Sequence, residues 1–358
     1  MAEIDAVWLT RVLRASGALD DQASVASAQA TRIGEGVGFL GQLASIALTY
    51  DGATPDVPAS VVAKLPAEHG MARQMAAAFG LYRCEVNFYR HVAGTMSVRT
   101  PRCYFADVNE DGTEALLLLE DLTTSGTLGD QVAGCTAAEA GMAIDRLAAL
   151  HARWWGDADV ERMQWLPAGL DLARNGLTNM YPNTWRPSLE RVGHMLTEEQ
   201  RAVVPTLNQR VLDALAEFDE VGSTFTHGDY RLDNVFFGRG ACGYDVAVID
   251  WQLANRGIGT YDMAYFVATN VETDVRRASQ MELLRAYHDR LLEGGVRDYD
   301  WDRCVDDYRR SMVALLALEM MTIANIETSN ERGLRLFEMI VRRVSDAVTD
   351  LDALTMLE

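Results

Sequence analysis

The spacing of apolar positions changes character near residue 31 and again near residue 121, and these two changes divide the chain. Residues 3–16 carry Ile4, Val7, Trp8, Leu9, Val12 and Leu13 at helical spacing, which predicts a short amphipathic helix. The small-residue stretch from there to Ala30 reads as a connector. From Thr31 the pattern is that of strands. A glycine cluster, G-E-G-V-G-F-L-G at 34–41, is followed by alternation over 42–50, a turn at 51–58 and a short strand at 60–65. Helical spacing returns over 71–91, and 104–107 and 116–120 predict two more strands around an N-E-D-G turn. Beyond Asp121 the pattern is helical, most clearly at 137–155, 197–218, 273–293, 299–327 and 331–354. One strand island, 224–237 with 244–251, interrupts this half and flanks the polar run H-G-D-Y-R-L-D-N. The pattern predicts an α+β chain of two lobes, a small strand-rich one at 1–121 and a larger helical one at 122–358.

Composition narrows the class. The chain has 358 residues, 49% hydrophobic and 23% charged, the proportions of a globular protein and too apolar for disorder. The apolar runs 115–119 and 312–318 stop at Glu120 and Glu319, far short of the ~20 residues that span a bilayer, so no membrane partner is expected. The N-terminal MAEIDAVWLT holds two acids and no basic cluster before an apolar run, so it is not read as a secretory signal, and a cytoplasmic location is expected. With 32 basic and 52 acidic residues the net charge is -20, which repels a polyanion, so no nucleic-acid partner is expected. Five scattered cysteines show neither a metal knuckle nor a disulfide framework. Nothing in the sequence indicates an oligomeric state.

One detail changes the picture. Lys64 is the only lysine among the 32 basic residues. Arginine replaces lysine well on a solvated surface but poorly where a compact ammonium must sit against a particular pair of oxygens. Lys64 lies near the end of the 60–65 strand, with Glu85 inside the helix that follows. An ammonium held by a helix carboxylate and aimed at nucleotide phosphates needs this order of parts.

The sharpest constellation is His227, Asp229 and Asn234 in T-H-G-D-Y-R-L-D-N-V-F-F, followed by Asp250 at the end of V-A-V-I-D-W. Asn234 and Asp250 offer the neutral and anionic oxygens that suit Mg²⁺, and Asp229 could accept a hydroxyl proton. The competing readings are a hairpin whose polar turn satisfies its own backbone, and a metal-dependent hydrolase built on His227, Asp229 and Asp250. The hydrolase gives Lys64 no role. Gly36, Gly38 and Gly41 form a G-x-G-x-x-G that strands follow; it reads equally as a plain hairpin turn or as a flap whose N–H groups approach phosphates, and the flap suits it better than a dinucleotide fold. His69, His91, His151, His194 and His288 are separated and read as helix-surface or cleft-wall residues.

On these residues the sequence resembles the aminoglycoside phosphotransferase and choline kinase group of protein-kinase-like small-molecule kinases, and within it the ecdysteroid-kinase-like branch. H-G-D-x-x-x-x-N followed by I-D-W-Q is the specific part. The resemblance implies a bilobal protein-kinase-like fold with an antiparallel-sheet N-lobe and a mainly helical C-lobe. It further implies ATP and Mg²⁺ as cofactors and a small-molecule hydroxyl as acceptor. By resemblance Asp229 is the catalytic base, Asn234 and Asp250 bind Mg²⁺, Lys64 contacts ATP phosphates and Glu85 orients Lys64. Glu120 to Leu122 looks like the adenine hinge, and Asp262 matches an acid that steadies the catalytic loop. Gly228 stands where the related protein kinases carry Arg, and Asp250 and Asp262, only twelve positions apart, leave no room for an activation loop. A nucleotide-binding pseudokinase is the alternative outside catalysis.

For the acceptor, 154–222 holds 11 acids and 6 bases, no more acidic than the chain as a whole. The same stretch carries Trp154, Trp155, Trp165, Tyr181 and Trp185. Trp165, Tyr181 and Trp185 fall in Pro- and Gly-containing sequence read as irregular, where rings could line an acceptor site. This favours a neutral apolar alcohol over an aminoglycoside or other amino alcohol.

Overall fold

The computed structural model describes residues 4–34, 41–52, 56–67, 71–325 and 331–358. The chain forms two compact units, one of Met1–Thr127 with Ala247–Leu253, the other of Leu128–Val246 with Ala254–Glu358.

The first unit is built on five antiparallel strands in the order β1-β2-β3-β5-β4, with β1 at Ser24–Ile33, β2 at Gly41–Asp51, β3 at Ser60–Pro66, β4 at Cys103–Val108 and β5 at Ala115–Glu120. Helix α1, Ala6–Ala15, starts where the Asp5 carboxylate accepts the Trp8 N–H at 2.7 Å. Its stripe of Trp8, Leu9, Val12 and Leu13 is buried with Ile46, Leu48, Val61, Ala63, Leu116 and Leu118 in one core. Because strand side chains alternate, Lys64 on β3 belongs to the face opposite Val61 and Ala63. It pairs in register with Leu43 on one side and Leu117 on the other.

Two expectations are corrected here. Residues 24–33 are strand β1 rather than connector. β1 is an edge strand in which only Val25 is fully buried, so it lacks the apolar alternation that would reveal it. The predicted helix over 71–91 is two, α2 at Met71–Ala78 and α3 at Leu81–His91. Gly80 separates them at φ +69°, a conformation that ends helices.

In the second unit α4, Ala137–Trp154, opens with a reciprocal cap between Thr136 and Glu139. It packs against the helix Thr273–Glu293, and the helix Gly259–Asn270 packs against Trp301–Thr322. Within the strand island Thr224–Thr226 pairs antiparallel with Asn255–Gly257, which lies beyond the predicted strands, and Val235–Gly238 follows the polar run. The predicted helix over 197–218 is interrupted after Val203, where Pro205 cannot continue the hydrogen-bond ladder, and resumes at Leu207. Tyr181 and Trp185 sit on the helix Tyr181–Val192 rather than in irregular chain. Tyr181 is fully buried with its hydroxyl on the Val204 carbonyl at 2.8 Å, so it is a core residue, whereas Trp165 and Trp185 are half-buried.

Candidate active site

Each unit holds one cluster of the residues singled out by sequence. In the first, the Lys64 ammonium lies 2.7 Å from Glu85 Oε2 and 2.8 Å from Asp250 Oδ1. The strand carries Lys64 and α3 presents Glu85. Asp250 arrives on the segment that rejoins this unit, anchored by Trp251, whose fully buried ring stacks on Phe88 with centroids 4.2 Å apart. The Trp251 carbonyl also accepts from Cys84 Sγ at 3.7 Å. Asp250 has φ +66°, a left-handed conformation that non-glycine residues adopt at a cost, and the packing of Trp251 holds it there.

One ammonium between two carboxylates leaves a net charge of -1. Burial alone would pull the Lys64 pKa down, but Asp250 and Glu85 reverse that and hold it above its ordinary value. Burial, reinforced by the Asp250 charge, pushes Glu85 up against the pull of Lys64. A further cation beside Asp250 would complete this balance. If Lys64 contacts nucleotide phosphates, as the resemblance implies, Lys64→Arg is expected to weaken nucleotide binding at least about tenfold, because a planar fork cannot occupy the point between two carboxylates. Nucleotide titration by calorimetry checks this, and unchanged affinity would remove Lys64 from the nucleotide site.

The second cluster surrounds Asp229. Its Oδ2 accepts from Arg231 Nε and Asn234 Nδ2, each at 3.0 Å, and its Oδ1 accepts from the Tyr265 hydroxyl at 3.1 Å. Asn234 Nδ2 also donates to the Asp229 carbonyl at 2.9 Å. With both donor contacts directed at Asp229, the Asn234 amide oxygen remains a neutral acceptor. Burial, and then the neighbouring Asp229 carboxylate, drive the Tyr265 pKa well above its usual value, so the phenol keeps its proton.

The loop that carries Asp229 is fixed from below. The fully buried Asp262 accepts the His227 N–H at 2.6 Å and the Gly228 N–H at 3.0 Å. Gly228 has φ +78°, which explains a glycine at this position. His151 is also fully buried, with Nδ1 2.8 Å from the Tyr287 hydroxyl and Nε2 3.4 Å from Asp262. It is therefore not a surface or cleft-wall residue, and neither is His288, buried with Nε2 2.9 Å from the Tyr299 carbonyl.

The remaining candidates are placed as follows. Gly41 opens β2 opposite Pro66, where an added Cβ would lie 3.0 Å from the Leu65 carbonyl oxygen, whereas Gly36 and Gly38 lie outside the described residues. Glu120 ends β5, accepting the Arg102 N–H at 2.8 Å and pairing with Arg99, and Leu122 is buried. Among the described residues no three of His, Cys, Asp and Glu group as a metal site. No helix among them is long and apolar enough to cross a membrane. Sequence reasoning passed over Arg231 and Tyr265. Tyr265 stands one helical turn after Asp262, so its spacing placed it on the same face.

The ecdysteroid kinase-like family model matches residues 35–155 and 165–299. The chain belongs to that family. Its fold is the α+β fold of protein-kinase-like small-molecule kinases, and the structural matches extend over nearly its whole length. A Ralstonia eutropha protein assigned to the aminoglycoside phosphotransferases matches with a TM-score of 0.57 at 16% identity, covering 96% of this chain and 97% of that one. An aminoglycoside phosphotransferase solved with GDP and kanamycin matches at 0.51 and 15% identity, covering 96% and 99%. A choline kinase from Cryptosporidium parvum matches at 0.51 and 11% identity, covering 92% and 90%. No curated protein matches the sequence.

Proposed function

We propose that this protein transfers the γ-phosphoryl group of ATP to a hydroxyl of a small, neutral and largely apolar alcohol, with Mg²⁺ as cofactor. The observation that supports the reading is the placement of the only lysine between Glu85 and Asp250, an arrangement suited to holding a nucleotide. Asp229 is the base. Among the described residues its Oδ1 is engaged by one neutral donor, so a lone pair remains for an acceptor O–H, while Arg231 and Asn234 hold Oδ2. As the acceptor oxygen bonds to the γ-phosphorus, the bond to the β-phosphate oxygen breaks, ADP leaves and the hydroxyl proton passes to Asp229.

The Asn234 amide oxygen and the Asp250 carboxylate are the donors that would hold the metal. A hard, all-oxygen pair suits Mg²⁺, and the net negative charge around Lys64 favours it. Bound there, Mg²⁺ would offset the charge that develops on the phosphates. Glu120 to Leu122 would form the adenine hinge, and Gly36, Gly38 and Gly41 the phosphate loop. In this reading residues of 1–121 hold the nucleotide and 122–358 supplies the base, with Asp250 lying in the first unit although it falls in the second by sequence.

The acceptor class is supported by the absence of any acidic excess over 154–222 and by the half-buried Trp165 and Trp185, though not by Tyr181. The deciding experiment is an ATP-consumption screen over sterols, aromatic alcohols, sugars and amino alcohols, with product mass as readout. Mass gain of one phosphate on an uncharged alcohol is expected. Turnover of kanamycin-like polyamines alone would overturn the acceptor class and keep the kinase, and ATP binding without any product would favour the pseudokinase.

A further inference from the structure

Behind the catalytic loop runs a chain of buried polar groups centred on Gln131, which has no exposed surface. Its main-chain N–H donates to Asp233 Oδ1 at 2.9 Å and its side-chain amide to Thr269 Oγ1 at 3.0 Å. Its amide oxygen accepts from Arg231 Nη1 at 3.3 Å, the guanidinium whose Nε fixes Asp229. Arg231 Nη1 also reaches Asp233 Oδ2 at 3.0 Å. From the other side, buried Arg343, on the helix Glu331–Asp350, donates through Nη1 to the carbonyls of Gln131 at 3.2 Å and Thr269 at 2.9 Å, and pairs with Glu272. Gln131 thus accepts from a guanidinium and donates to a hydroxyl with one side chain. A primary amide does both without adding charge, with its acceptor and donors on separate atoms.

We propose that Gln131 is a positioning residue for the catalytic base: it sets the guanidinium of Arg231, which holds Asp229 Oδ2 and leaves Oδ1 for the acceptor, and Arg343 anchors Gln131. The inference rests on the reading of Asp229 as the base. Without Gln131 the guanidinium keeps Nε on Asp229 and Nη1 on Asp233, but Nη1 loses its second acceptor and the restraint that acceptor places on the tilt of the fork. A displacement of about 1 Å at a reacting group costs on the order of 10²-fold in rate.

The test has a readout that needs no substrate. In the full chain with ¹⁵N-labelled arginine, Arg231→Lys identifies the Arg231 Nε–H resonance. Gln131→Met is expected to shift or broaden it, Gln131→Asn to move it less, and Arg343→Met to move it in the same direction as Gln131→Met, with Arg343→Lys partly restoring it. In turnover of ATP with the acceptor found by the screen, Gln131→Met should lower kcat about 10- to 100-fold with KM for ATP within about twofold. Combined with Asp229→Asn it should add less than about twofold, because it acts through Asp229. An unmoved Arg231 signal, or full additivity with Asp229→Asn, overturns the proposal. Full turnover by Asp229→Asn alone would instead overturn the assignment of the base.

Discussion

Asp229→Asn is expected to keep Mg²⁺·ATP affinity within about twofold of wild type while turnover falls by about 10²–10⁴, the usual contribution of a positioned general base. The geometry makes this substitution unusually clean. Asn has the shape of Asp, and its amide oxygen can still accept from Arg231 and Asn234, which hold Oδ2 at 3.0 Å. The amide nitrogen would fall at Oδ1, where it cannot receive a hydroxyl proton. Nothing in the Lys64, Glu85 and Asp250 cluster changes. Calorimetric nucleotide titration and single-turnover kinetics separate the two quantities. Wild-type turnover in the variant would show that another group takes the proton, and a parallel loss of affinity and rate would show that Asp229 serves nucleotide binding.

What could be read from the sequence is what local chemistry marks. Lys64 was visible because arginine fills every other basic position, and a lone exception needs a local cause. Asp229, Asn234 and Asp250 stood out because polar runs ending apolar strands are costly unless they serve a purpose. The strands Ser60–Pro66 and Ala115–Glu120 were legible because each carries a short apolar run, over 61–63 and 115–119. Edge strand β1 was not, since its pairing to β2 is made by backbone and its side chains face water. Nor was the support of Asp229. Gln131, Arg231, Asp233, Thr269 and Arg343 meet only through folding, with 212 positions between Gln131 and Arg343. Each alone is an ordinary polar residue. The burial of Tyr181 was misread for a related reason: Pro182 suggested irregular chain, but proline at the first turn of a helix is well tolerated.

A second large effect is expected at Glu319, which local pattern marked only as the residue that ends an apolar run. It lies on the helix Trp301–Thr322 at 5% exposure, and its carboxyl makes no ion pair or hydrogen bond among the described residues. Burial alone pushes its pKa from about 4.5 to about 8. Tyr261 and Tyr265, whose charges couple to it, are themselves held protonated by burial, so they supply no countercharge. The sign follows from which state releases its proton first. Above pH 4.5 the unfolded chain ionises Glu319 while the folded chain does not, so stability falls with rising pH until about 8, where the folded state ionises too. Each pH unit in that window costs up to about 1.4 kcal/mol, which amounts to about 3 kcal/mol at pH 7 and about 4 kcal/mol at pH 8, where the folded group is half ionised. Glu319→Gln keeps the size and removes the titration. Its stability relative to wild type should therefore be near zero at pH 5 and grow steadily to pH 8, as read from urea unfolding at four pH values between them. Parallel wild-type and variant profiles across that range would mean that Glu319 is already ionised in the folded protein, with a cation or water reaching it.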